Sequence, residues 1–152
     1  MVDDSRIGIY NYIYDLLYGV VTENVYRMSE PQELTESDTK DGFLVITLGD
    51  VYDESEFSKQ AYGWARAYIE VYVPPRSRGR LDKAAYKAFE DAVNTVIDTE
   101  VANPTNDTYS IQTDSVISMD GEAGSGANNS YFVFVKSFVV LIDKEENSNN
   151  NN

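Results

Sequence analysis

The strongest pattern along the chain is a two-residue alternation over residues 64–73, followed by a helical period over residues 81–97. Alternation places one set of side chains on each face of a β-strand, and one set here is entirely apolar: Ala65, Ala67, Ile69, Val71 and Val73. Pro74 and Pro75 end the strand because proline cannot donate to a sheet ladder. The helical stretch carries an apolar stripe wide enough to cover a sheet face: Leu81, Ala85, Ala88, Phe89, Ala92, Val93 and Val96.

A first helix is predicted near the N-terminus, where apolar residues recur at three and four positions over residues 9–21. Asp4 or Ser5 can cap its start. Four tyrosines lie on more than one side of this helix: Tyr10, Tyr12, Tyr14 and Tyr18. We expect Tyr10 and Tyr14 to pack in the core, and at least one tyrosine to stay at an edge or to meet a partner chain.

The stretch between this helix and the alternating strand contains two β-type segments. Residues 24–28 have short β-strand character, and the polar residues 29–42 that follow are expected to form a long exposed loop. Residues 43–52 alternate again, which favours a strand with a buried face. We expect this strand to pair antiparallel with residues 64–73 and to form the centre of the sheet.

The C-terminal third of the chain predicts a hairpin. Residues 109–119 suggest a strand that breaks at Asp114, and the glycine-, serine- and asparagine-rich residues 120–130 suggest a flexible tip. Residues 131–142 form a long predicted strand in which Lys136 falls on the same side as the phenylalanines. A charged residue at that position predicts that the hairpin projects beyond the core there.

Together these elements predict an α+β fold. We expect an antiparallel sheet of about four strands packed on two helices, in the order α-β-β-β-α-β-β. A single domain is expected over residues 1–142, because a chain of this length fits one core. The polar, low-complexity residues 143–152 are expected to be a disordered tail.

The charge balance narrows the classes of function. With 12 Lys and Arg against 26 Asp and Glu, the net charge of −14 disfavours adhesion to nucleic-acid phosphates, which is driven by cationic side chains that displace counterions. The same charge suits a surface past which DNA slides, as well as an ordinary acidic protein. The chain has no cysteine and no histidine, so disulfides and histidine-based catalytic or metal sites are absent. With no recognisable secretory signal or membrane-spanning run, we expect a protein assembled inside a cell.

Carboxylates are the abundant reactive groups, but their spacing does not form a metal loop. Around Gly42, the positions that an EF-hand loop fills with ligands carry Ser37, Thr39, Asp41 and Leu48. The glycines of residues 120–130 match neither glycine-rich phosphate-binding pattern. We therefore expect no metal and no cofactor. A carboxylate pair that acts as acid and base stays open, because such a pair can come from anywhere in the fold.

Three arginines are concentrated in one short segment of this acidic chain: Arg76, Arg78 and Arg80. The simplest interpretation is a solvated loop. The sharper hypothesis is that the segment docks on the acidic stretch of a neighbouring copy, in a head-to-tail contact that closes into a ring. The acidic residues of this predicted subunit interface are Glu30, Glu33, Glu36, Asp38 and Asp41.

The element order resembles that of the tail terminator and neck ring proteins of tailed bacteriophages, including ring proteins of crAss-like phages. The resemblance is carried by Gly-Phe-Leu-Val-Ile-Thr-Leu at residues 42–48 and Tyr-Ile-Glu-Val-Tyr-Val-Pro-Pro at residues 68–75, and by element order over nearly the whole chain, without a diagnostic motif. It implies a small α+β subunit that forms a six- or twelve-fold homo-oligomeric ring on the head-to-tail channel, beside portal, neck or tail proteins. It also implies a virion protein, assembled in the host cytoplasm, with no catalytic residues.

We therefore expect a non-enzymatic structural subunit that neither reads nucleic-acid sequence nor enters a membrane. One alternative is a monomeric adaptor that binds a single protein partner, which absence from purified virions would favour. Another is a carboxylate-dependent hydrolase or metal-binding enzyme, which would require a divalent cation and one buried Asp or Glu.

Overall fold

The computed structural model of the chain describes residues 2–28, 31, 33–53, 62–76, 79–120 and 131–143. These residues form three α-helices, six β-strands and a 3-10 turn. In chain order they are α1 (Val2–Leu17), β1 (Val25–Arg27), α2 (Glu36–Asp41), β2 (Phe43–Asp53), β3 (Tyr62–Val73), α3 (Lys83–Ala102), β4 (Tyr109–Ile111), the 3-10 turn (Thr113–Ser115), β5 (Ile117–Asp120) and β6 (Phe132–Asp143). The predicted α+β class is confirmed.

The strands form one sheet in the order β1-β2-β3-β6-β4, and β5 also pairs with β6. β3 lies at the centre and pairs antiparallel with β2 and with β6, as the alternation over residues 43–52 and 64–73 predicts. β1 runs parallel to β2, so the sheet is mixed, and the expectation of a purely antiparallel sheet is wrong. A parallel pair requires a long crossover, which residues 28–42 supply because they include α2.

The hydrophobic core lies between this sheet and the two long helices. The alternating residues of β3 that we predicted to face a core are all completely buried. The other elements meet them with buried aliphatic side chains: Ile9, Ile13 and Leu17 from α1, Val93 and Ile97 from α3, and Leu44 and Ile46 from β2. Because each such side chain contributes roughly 1.5–3 kcal/mol on burial, this interface dominates the folding free energy.

Helix α3 follows the predicted helical stripe with a small rotation. The Asp82 side chain caps its first turn by accepting a hydrogen bond from the Ala85 amide at 3.0 Å. Its fully buried apolar positions are Val93 and Ile97. Ala88, which we predicted in the stripe, is exposed because the buried face is centred on those two residues.

The first two helices differ from the prediction. α1 already begins at Val2, so the cap predicted at Asp4 or Ser5 is wrong. The stretch predicted as a continuous exposed loop contains α2, which starts with a reciprocal capping box between Thr35 and Asp38. Two orphan donors at the helix start are satisfied in this way, which makes a helix of six residues favourable there.

The C-terminal hairpin is present, with the predicted break between β4 and β5 at residues 113–115. Lys136 does not mark a projecting strand, because it is buried and its Nζ donates to Asn94 Oδ1 in α3 and to Ser118 Oγ in β5. Those two oxygens compensate for the loss of water around the ammonium group. Asp120 and Asp143, which we predicted as the first residues of the tip and of the disordered tail, instead end β5 and β6. The rest of the predicted tip, residues 121–130, and of the predicted tail, residues 144–152, lies outside the described residues.

Candidate functional site

The residue that follows α2 lies against the chain that leaves β3, two residues before Arg76. Gly42 follows α2 with φ of +90°, and a Cβ there would lie 2.6 Å from the Tyr72 carbonyl oxygen and 3.1 Å from Pro74 Cδ. Glycine is required because any side chain would clash with the β3 backbone at this approach. The chain that leaves β3 at Pro74 therefore turns beside the C-terminal end of α2. We name α2 and the exposed Arg76 and Arg80 the corner.

Arg76 and Arg80 are both exposed, on a turn in which the Arg76 amide donates to the Arg80 carbonyl oxygen at 2.7 Å. Neither side chain forms an ion pair with a described carboxylate. The ion pair found in the described part of the chain joins Lys87 to Asp91 at 3.4 Å. Arg78 lies outside the described residues. The corner thus presents two cations that have no acidic partner among the described residues of their own subunit.

The acidic residues of the predicted interface divide into two groups. Glu33, Glu36 and Asp41 are exposed on or beside α2, as a contact surface requires. Asp38 is completely buried. Glu30 lies outside the described residues.

Asp38 holds α2 in place instead of facing solvent. Its carboxylate accepts from the Thr35 amide at 2.9 Å, and its own amide donates to Thr35 Oγ1 at 3.1 Å. The Tyr26 hydroxyl donates to the same carboxylate, at 2.9 and 2.7 Å from its two oxygens. Both oxygens are therefore engaged inside the subunit. The predicted contact with arginine consequently rests on the exposed carboxylates and not on Asp38.

Aromatic side chains pack beside α2 on the sheet face opposite to α1 and α3. Phe43 stacks on Tyr72 with 4.6 Å between ring centroids, and Tyr26 and Tyr131 meet Phe43 edge-on at 6.0 and 5.5 Å. Burial, with the hydrogen bond and the charge of Asp38, raises the pKa of Tyr26 to about 12. Burial and the Asp38 charge also raise the pKa of Tyr131. Through Tyr26 and Asp38, these contacts fix α2 to the sheet.

A second surface lies on the outer side of α1 and beside β1. We define the α1 surface by its exposed apolar side chains, Ile7, Tyr18, Val20 and Met28. It contains a groove of about 340 Å³ whose lining residues are Ile7, Tyr10, Asn11, Arg27 and Met28. The exposure of Tyr18 agrees with the expectation that one tyrosine of the first helix stays at an edge, and Tyr10 is buried as predicted.

Arg27 gives the α1 surface a fixed positive charge. Its guanidinium lies 4.8 Å from the centre of the Tyr14 ring and donates to Asn11 Oδ1. Tyr14 in turn stacks on Tyr18 at 5.1 Å. Sequence reasoning did not identify this surface, although Ile7 and Tyr18 on the outer side of a helix were a signal for it.

The described residues contain no group of three or more Asp or Glu side chains placed to hold a metal ion. Among the helices that the structure describes, none combines the length and apolar character needed to cross a membrane. A scan against protein-family models finds no match, and a search of curated proteins finds no significant match.

Proposed function

We propose that this chain is a non-enzymatic structural protein of a tailed-phage virion, whose copies form a ring at the neck or tail. The ring surrounds the DNA channel and joins portal or neck to tail. The observation that carries the proposal is the pair of exposed arginines, Arg76 and Arg80, which lack an acidic partner among the described residues of their subunit. In a chain of net charge −14, these cations are natural contacts for carboxylates of another copy.

The resemblance in element order gives the proposal its class, and the α+β fold agrees with it. The acidic balance fits a protein beside moving DNA, because adhesion to phosphates requires cationic side chains that release counterions. The exposed acidic residues Glu33, Glu36 and Asp41 would repel the DNA backbone wherever they line a channel.

Charge alone does not hold such a ring together. An exposed ion pair contributes roughly 0.2–1 kcal/mol, and two copies of charge −14 repel each other. Contacts between arginines and carboxylates therefore orient the copies and select the partner. Burial of apolar surface must supply most of the binding free energy.

Light scattering and electron microscopy across concentration and ionic strength test this function. We expect closed rings of one symmetry, strengthened as moderate salt screens the repulsion between acidic copies. The variant Arg76→Gln/Arg80→Gln should need about tenfold more protein to assemble, because two weak ion pairs together contribute about 1.4 kcal/mol. A matched control, Lys83→Gln/Lys87→Gln, removes the same charge from exposed side chains of α3.

Two results would contradict the proposal. A monomer at every concentration and ionic strength would exclude spontaneous ring assembly and would favour the adaptor alternative. Equal weakening by the arginine variant and the lysine control would show that net charge, and not the corner, governs association.

A further inference from the structure

Two apolar surfaces lie at opposite edges of the sheet. The α1 surface borders β1, the first strand in the sheet order, whereas β5 lies beyond β6 at the other edge. Ile7 and Met28 of the α1 surface are 48% and 58% exposed, and Ile117 and Met119 of β5 are 49% and 44% exposed. Single exposed apolar side chains are ordinary, but two groups at opposite edges are what a repeating contact between copies requires.

The outer side of α1 has the composition of an interface. A helix with one face on a core normally turns polar side chains to water. Here Ile7 and Tyr18 share the exposed side with Asn11 and Asp15, and the half-buried Tyr14 flanks them. An aromatic and aliphatic centre with a polar rim is typical of a protein surface that a partner covers.

The exposed side chains of β5 point to the sheet face opposite to α1 and α3. Ser118 pairs with Lys136, whose Nζ reaches Asn94 of α3, so Ser118 points toward the helices. Ile117 and Met119 stand one residue to either side and therefore point the other way. We name these two residues the β5 face.

We infer that the α1 surface of one copy packs on the β5 face of the next copy, so that neighbouring subunits overlap edge to edge. A helix packed on a sheet face is the common layer arrangement of α+β proteins. In this contact one subunit supplies the helix and the next supplies the sheet face. The contact joins two different surfaces, so it is heterologous and can close a ring. The contact buries apolar surface, which the arginines of the corner do not. This inference depends on the self-assembly that we propose above.

The charges around the two surfaces are complementary. Arg27 is an exposed cation on the α1 surface and has no ion pair among the described residues. Asp114 is exposed on the 3-10 turn that precedes β5. That turn borders the β5 face, because Arg66, which points away from the helices, donates to the Ser115 carbonyl oxygen at 3.4 Å. In the proposed contact, Arg27 of one copy faces Asp114 of the next, and Asp15 on the α1 surface faces the side of the sheet that carries Arg66.

Cysteine cross-linking tests the contact directly, because the chain has no cysteine of its own. Met28→Cys and Met119→Cys both change exposed side chains, so the fold should tolerate them. Under assembly conditions, a short bis-maleimide should cross-link the two single variants, when they are mixed, into dimers. It should cross-link the double variant into a series of oligomers whose largest member has the number of subunits in the ring. The control mixes Met28→Cys with Lys87→Cys on the exposed side of α3.

We expect roughly tenfold more product from the first mixture than from the control, since contact raises the effective concentration of the two thiols. Rings without cross-linking above the control would overturn this contact and leave self-assembly standing. Efficient cross-linking of Met28→Cys alone would overturn it as well, because it would indicate two α1 surfaces meeting about a two-fold axis. Absence of rings from the unmodified chain would overturn the proposed function and this contact together.

Discussion

Glu100 and Asp38 are both buried carboxylates bound by a tyrosine hydroxyl, yet they connect very different parts of the chain. Glu100 lies near the end of α3 and accepts from the Tyr12 hydroxyl of α1 at 2.6 Å. Its two oxygens also accept from the Thr105 amide, at 3.3 and 3.2 Å. Asp38 accepts from the Tyr26 hydroxyl and from the start of its own helix.

The difference lies in sequence separation. Glu100 and Tyr12 are 88 positions apart, whereas Asp38 and Tyr26 are 12 positions apart. Loss of the first contact weakens the packing of α1 against α3 and thus the whole core. Loss of the second releases a short helix at the corner, where local opening costs less than global unfolding. The same chemistry therefore supports the fold in one place and a candidate assembly surface in the other.

Replacing Glu100 with Ala should have the largest effect on the free energy of unfolding. The change leaves the Tyr12 hydroxyl and the Thr105 amide without their acceptor, and it opens space beside the stacked rings of Tyr12 and Tyr109. We expect a loss of about 3 kcal/mol, which lowers Tm by about 8 °C in a chain of this length. Thermal and urea unfolding followed by circular dichroism measure both quantities.

Two variants of α3 sharpen this measurement. Asp98→Ala removes an exposed carboxylate from the same helix and should change stability by less than about 0.5 kcal/mol. Glu100→Gln keeps one acceptor oxygen, so its loss of unfolding free energy should lie between those of Glu100→Ala and Asp98→Ala. If Glu100→Ala and Asp98→Ala are equally stable, the Glu100 contact does not connect the helices energetically.

Replacing Asp38 with Ala should have a smaller and local effect. The change removes the capping box of α2 and the acceptor of the Tyr26 hydroxyl, for which we expect a cost of about 1–2 kcal/mol. Hydrogen exchange should accelerate at residues 36–41 while the core strands keep their protection. Asp41→Ala, an exposed change on the same helix, is the control. Faster exchange throughout the core would contradict this prediction, because it would show that Asp38, like Glu100, stabilises the whole fold.

Burial explains how much of the fold could be predicted. Residues 64–73 alternate because one face of β3 meets the helices, so that strand and its orientation follow directly from the pattern. The direction of β1 cannot be predicted in this way, since a strand of three residues carries no signal for parallel or antiparallel pairing. The burial of Lys136 does not follow from the pattern either, because its partners, Asn94 and Ser118, come from two other elements.

The candidate site was predictable where it depends on local chemistry. The exposure of Arg76 and Arg80 follows from a polar, glycine-containing turn in an acidic chain. The close approach of Gly42 to the end of β3 is a tertiary contact, which the linear sequence does not indicate. Asp38 looked like its acidic neighbours, although Thr35 three residues earlier is the signature of a capping box that would have identified its role.

Alkaline pH tests the hydroxyls of Tyr26 and Tyr12, each of which donates to a different buried carboxylate. The pKa of Tyr26 is raised from 10.0 to about 12, first by burial and then by Asp38. Burial and the Glu100 carboxylate also raise the pKa of Tyr12. A raised tyrosine pKa contributes stability that is fully present below about pH 10, the ordinary value, and is lost as pH rises, because the unfolded chain releases the proton first.

The Tyr26→Phe variant isolates the contribution from the corner. Subtracting its tyrosinate absorbance titration from that of the unmodified chain should leave one group that titrates near pH 12. Between about pH 10 and 12, the unmodified chain should lose stability more steeply than the variant, since only the unmodified chain has this proton to release. A difference titration centred near 10 would mean that neither burial nor the contact with Asp38 acts on the Tyr26 hydroxyl in solution. In that case the hydrogen bond between Tyr26 and Asp38 would be weaker than the one between Tyr12 and Glu100. Helix α2 would then be held too weakly to position carboxylates for a contact between subunits.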